Sequence, residues 1–124
     1  MAPERTWLAK FGDAFRGIAR AVTSQSSFAV HFPVALLTLA VAGAMGMSLV
    51  EWCVLLGAIG TVIAAEVINT AIEFLAKAVT GDFDENVRDA LDIASAGVFV
   101  TVITAVVIGS LLLGNRAGAL LGWW

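Results

Sequence analysis

From Ile93 to Gly114 the chain runs 22 residues without a charged side chain. About 20 predominantly apolar residues suffice for a helix to cross a bilayer. Backbone polar groups in hydrocarbon must be satisfied within the protein, which makes a helix the natural form of such a run. Two further apolar segments precede it, at about 28–47 and 52–79. Sixty per cent of the 124 residues are hydrophobic and 14 % are charged. A soluble domain of this size cannot hide that much apolar surface. The expected fold is therefore an all-α integral membrane protein, one domain over residues 1–124, with transmembrane helices at about 28–47, 52–79 and 93–114. Seven scattered basic residues and a net charge of −3 give no basic stripe, so no nucleic-acid partner is expected. The lone Cys53 has no intrachain disulfide partner and reads as a small buried hydrophobe.

Ahead of the first span, Trp7, Leu8, Phe11, Phe15, Ile18 and Val22 recur at steps of three and four, with Arg5, Lys10, Asp13, Arg16 and Arg20 largely off that stripe. This pattern predicts an amphipathic helix over 5–22, lying in the membrane interface. A cleavable signal peptide is the other reading of a basic start, but the stretch before the apolar run is long for one. Lysine and arginine placement sets orientation. Arg5, Lys10, Arg16, Arg20, Lys77 and Arg88 fall on one side, and Arg116 alone on the other. The N-terminus and a loop at 80–91 are thus expected to be cytoplasmic, with the turn near Ser48 facing outward. That loop holds five acids, Asp82, Asp84, Glu85, Asp89 and, at its edge, Asp92.

One stretch resists the apolar pattern. "EVINTAIE", residues 66–73, follows fourteen uncharged residues, Trp52 to Ala65. A charge at the centre of a span costs about 2.5–3.5 kcal/mol on insertion scales. On a helix, Glu66, Asn69, Thr70 and Glu73 fall within about 100° of arc, so the polar atoms form one narrow line. Two carboxylates and an amide in line are hard oxygen ligands, suited to Mg²⁺ held together with a nucleotide phosphate. A carboxylate left free of metal can serve as a general base. The plainer alternative is a polar ladder that binds helices together. Arg88, Asp89, Asp92 and Ser95 form a second cluster. Arg88 and Asp92 are spaced to pair on a helix surface, or to face Glu66 and Glu73 at the mouth of a site.

These motifs resemble the small bacterial membrane-integral diacylglycerol kinases, whose Gram-positive relatives phosphorylate undecaprenol. The resemblance covers about Lys10 to Gly114. "EVINTAIE" is close to the family's E-x-x-N-[ST]-A-[IL]-E signature, "DIASAGV" (92–98) looks like the opening of its last helix, and "FRGIARAV" (15–22) is similar to its amphipathic segment. The resemblance implies transfer of the ATP γ-phosphoryl, with Mg²⁺, to a lipid hydroxyl at the cytoplasmic face of the bacterial inner membrane. Diacylglycerol is the first expected acceptor and undecaprenol the second. It also implies a homotrimer with sites built between subunits. Glu66 matches the family's base, Glu73 a metal-binding carboxylate, and Asn69 and Asp92 polar residues of the nucleotide site. Gln25 stands where the family has a glutamate ligand, Leu91 where it has a lysine, and Ala29 where many members have an arginine. His31 matches a histidine common among the Gram-positive members. Arg88, three residues before Leu91, is expected to reach the phosphate that the lysine would hold, and Gln25 to offer Mg²⁺ a carbonyl oxygen. A non-catalytic descendant that binds nucleotide or lipid without turnover, and an unrelated scaffold or transport subunit, are the competing readings. No inverted repeat supports the transporter.

Overall fold

A computed structural model describes residues 4–124. They form four α-helices: α1 (Trp7–Ser24), α2 (Phe28–Ala44), α3 (Leu49–Val79) and α4 (Glu85–Leu120). α3 and α4 form an antiparallel hairpin with extensive mutual packing, while α1 and α2 touch α3 at far fewer points. Their 31 and 36 residues correspond to about 46 and 54 Å of helix. Both exceed the roughly 30 Å of a hydrocarbon core. Each is long and apolar enough to cross a membrane, and α1 with α2 passes the same test only as one pair bent by 106°.

Local chemistry explains each boundary. α1 opens on Thr6, whose hydroxyl accepts from the Ala9 N–H at 3.2 Å. It ends at Gln25, which is extended (φ −122, ψ 125). The polar run "TSQSS", residues 23–27, makes the elbow, and Phe28, 1 % exposed, anchors its far side by stacking on Phe32. α2 stops at Ala44 rather than near 47, because Gly46 takes φ +66 to turn the chain. α3 begins at Leu49, three residues before the expected start at 52. Ser48 and Glu51 form a capping box there, each satisfying the other's backbone N–H.

The larger correction concerns the loop expected at 80–91. Only residues 80–84 lie between the helices. Asp84 caps α4 by accepting from the Val87 N–H at 3.0 Å, and Glu85 sits in the first turn, where a negative charge favours the helix dipole. The acidic stretch is thus mainly the start of a helix that reaches the apolar run eight residues later. At its far end α4 continues to Leu120, six residues past Gly114. Gly122 (φ +74) and a bond from the Trp123 N–H to the Gly118 carbonyl close it.

The buried core is small. Ala42, Met47 and Leu55 form its centre, with Leu39, Trp52, Ile59, Leu112 and Leu113 against them. Much larger apolar surface is exposed, including Leu36, Leu37, Phe99 and Val106. A surface of that kind requires lipid or another protein against it. Cys53 belongs to this exposed set rather than to the core. α1 likewise buries only Ala21, leaving Trp7, Leu8, Phe11, Phe15 and Ile18 exposed.

Candidate active site

The elbow between α1 and α2 lies against the polar line on α3. Glu66 is 5 % exposed. Its Oε2 accepts from the Ser27 hydroxyl at 3.1 Å, and its Oε1 lies 2.9 Å from His31 Nε2. No lysine or arginine pairs with it among the described residues. Ser27 is the N-cap residue of α2, yet its side chain makes no capping bond. Its hydroxyl is turned to Glu66 instead, forgoing about 0.5–2 kcal/mol of ordinary cap stabilisation.

Two turns further along α3, Glu73 is half-buried and receives both of its bonds from amides. Asn69 Nδ2 donates to Oε1 at 2.9 Å, and Gln25 Nε2 donates to Oε2. Asn69 Oδ1 is buried without a partner, which leaves it able to accept from water or to ligate an ion. Thr70, which shares the polar line, plays a different part. It is 2 % exposed, and its hydroxyl donates to the Glu66 backbone carbonyl at 2.8 Å, so it has no donor left for a ligand.

Glu73 also opens onto a cavity of about 450 Å³ lined by Lys77, Thr80, Asp82, Val87, Arg88 and Leu91 among others. Arg88 and Leu91 share this wall, as their three-residue spacing on one helix predicts. Arg88 is 52 % exposed and pairs with Asp89 at 3.0 Å and Glu85 at 3.7 Å. Asp92 is exposed and outside this wall, so the chain by itself does not bring Asp92 to Glu66 or Glu73. The reason is rotational: Asp92 is one residue past Leu91, about 100° around α4. Lys77 is a site residue that sequence reasoning used only for orientation. Its spacing, one turn after Glu73, was the available signal. Lys77 and Arg20 both approach the Phe74 ring, at 5.5 and 5.2 Å from its centroid, which ties α1 to this end of α3.

A second cavity, about 370 Å³, lies between α2, α3 and α4. His31, Thr38 and Ser110 are its only polar side chains; Val34, Leu55, Val62 and Val106 are typical of the rest. The Thr38 hydroxyl is spent on the Val34 carbonyl. His31 therefore stands where an apolar cavity meets a buried carboxylate.

The donor set fits Mg²⁺. Glu73, Asn69 Oδ1 and the Gln25 carbonyl are hard oxygens, and Asn69 Oδ1 is free. No group of three or more His, Cys, Asp or Glu side chains converges for a metal among the described residues. An ion here would therefore need oxygens from outside the protein, such as phosphate or water, to complete its shell.

Comparison with known proteins gives two results. The family model of prokaryotic diacylglycerol kinase matches residues 12–113. The chain is also similar to undecaprenol kinase of Bacillus subtilis (strain 168), 28 % identical over 102 residues, which covers 82 % of this chain and 83 % of that protein.

Proposed function

From its membership of the prokaryotic diacylglycerol kinase family, which makes this chain a membrane lipid kinase, we propose that it transfers the ATP γ-phosphoryl to the hydroxyl of diacylglycerol at the cytoplasmic face of a bacterial inner membrane. The observation that carries this reading is Glu66, a buried carboxylate with no lysine or arginine partner among the described residues, in line with an amide-held carboxylate at Glu73. From Trp52, Glu66 lies about 21 Å along α3 and Glu73 about 32 Å. Against a hydrocarbon core of about 30 Å, Glu73 falls at the aqueous edge, within reach of soluble nucleotide, and Glu66 about 9 Å inside it.

In this mechanism Glu66 accepts the hydroxyl proton as the lipid oxygen bonds to the γ-phosphorus. The bond from that phosphorus to the bridging oxygen breaks, and ADP leaves with the electron pair. Glu73, Asn69 and Gln25 would hold the nucleotide's Mg²⁺, which when bound would supply charge neutralisation on the phosphates. Lys77 and Arg88 line the nucleotide's cavity and draw its phosphates toward Glu73. Three membrane crossings, by α2, α3 and α4, with α1 lying along the interface, account for the bend between α1 and α2. A homotrimer would cover the exposed apolar faces of α2 and α4.

The similarity to an undecaprenol kinase supports undecaprenol as a second acceptor. Both acceptors present a hydroxyl at the interface and apolar tails to lipid. A phosphorylation assay with ATP and Mg²⁺ in mixed micelles, with each lipid offered separately, decides between them. Labelled lipid product that vanishes in Glu66→Gln supports the kinase reading and names the acceptor. Nucleotide binding without product from either lipid overturns it.

A further inference from the structure

We propose that His31 is a positioning residue for Glu66, one half of a two-point clamp whose other half is Ser27. The inference rests on the reading of Glu66 as the base. Ser27 and His31 are four residues apart at the start of α2, so both project from one face of its first turn. Each holds a different oxygen of the same carboxylate, Ser27 at Oε2 (3.1 Å) and His31 at Oε1 (2.9 Å). A base must be ionised to act, and an ionised carboxylate can only accept. In that state of Glu66 the contact requires His31 Nε2 to be the donor. Ser27 has given up its helix cap for the same contact, so neither donor is there by default.

The clamp fixes which lone pairs Glu66 has left. With one bond made on each oxygen, the carboxylate keeps one further acceptor direction on each, and it cannot swing about its terminal torsions. His31 also both contacts the Glu66 carboxylate and lines the apolar cavity between α2, α3 and α4. Loss of the Nε2–H frees the base to rotate. A displacement of about 1 Å at a reacting group costs on the order of 100-fold in rate.

The test uses the full-length protein in mixed micelles with saturating lipid. His31→Leu removes the donor. His31→Gln keeps an N–H near the position of Nε2. We expect His31→Leu to lower kcat by about 10–100-fold with the KM for ATP within about twofold of wild type, His31→Gln to recover most of that loss, and Ser27→Ala to lower kcat less than His31→Leu. Wild-type kcat in His31→Leu overturns the proposal, as does a glutamine variant no better than the leucine variant. An equal fall in both variants together with a shifted size-exclusion profile assigns His31 to folding and overturns it as well. Glu66→Gln is measured alongside. If it turns over normally, the base reading itself falls. If it is inactive while His31→Leu is normal, only the clamp falls.

Discussion

α3 carries a polar tie at each end, and the two are built differently. Near its start, Glu51 Oε2 lies 2.7 Å from Arg116 Nη2 of α4 and also accepts from the Ser48 backbone N–H at 2.7 Å. There a carboxylate meets a guanidinium and the charges cancel. Towards its other end, Glu66 and Glu73 meet a hydroxyl, an imidazole and two amides. None of these partners is a lysine or arginine among the described residues. The first tie fastens α3 to α4 through an ion pair, and the second holds two carboxylates to the elbow and to Asn69 through hydrogen bonds.

The largest expected effect contrasts the two ties directly. Glu66→Gln removes the base and lowers kcat by about 10²–10⁴-fold, whereas Glu51→Gln leaves kcat within a few fold. Comparable losses in a lipid phosphorylation assay would erase the distinction. Next comes the amide shell. Asn69→Leu, which removes a donor to Glu73 and the free Oδ1, should raise the Mg²⁺ concentration for half-activity by about 10–100-fold. Gln25→Glu should lower it, and an unchanged Mg²⁺ titration in both variants would remove these residues from the metal site. A smaller effect separates the two arginines. Arg88→Ala should raise the KM for ATP by about tenfold through loss of a charge-assisted contact, while Arg116→Ala changes only thermal stability. Equal and mild losses in both would show that Arg88 is a surface residue.

The smallest effect is on pH. The Ser48 backbone N–H, and after it the Arg116 side chain, hold the Glu51 carboxyl below the ordinary glutamate value. A carboxyl whose pKa is lower folded than unfolded stabilises the fold above its unfolded pKa, and this contribution is lost as pH falls through the folded value. Tm in detergent should therefore be flat near neutrality with respect to this group and fall in acid below the usual carboxylate range. Arg116→Ala should show a shallower acid fall. Identical acid limbs in the two proteins would mean that the tie does not report on Glu51.

The sequence was most legible where a pattern is local. The 22-residue uncharged run and the line of Glu66, Asn69 and Glu73 both follow from helical period alone, and both lie on helices as expected. Helix starts were legible in principle: Ser48 with Glu51, and Asp84 with Glu85, are capping signals. Around Asp84 the density of acids pointed to a loop and masked the cap. What could not be read was contact between distant positions. Ser27 and His31 lie 39 and 35 residues from Glu66, and only the elbow brings them there. Gln25 lies 48 residues from Glu73 for the same reason. Thr70 shared the polar line yet turned inward to its own helix. Cys53 has apolar neighbours in sequence but faces out, because inside and outside of a membrane helix are both apolar and composition does not separate them.

The seven helical steps from Glu66 to Glu73 have a consequence for the membrane itself. They set the two carboxylates about 10 Å apart along α3, a spacing that the helix cannot stretch. The bilayer around it can change thickness by several ångströms with composition, and a span adapts by tilting or by deforming the lipid. Bilayer thickness thus acts as a setting on this protein. A thinner membrane brings Glu66 nearer the interface, and a thicker one draws Glu73 into the hydrocarbon.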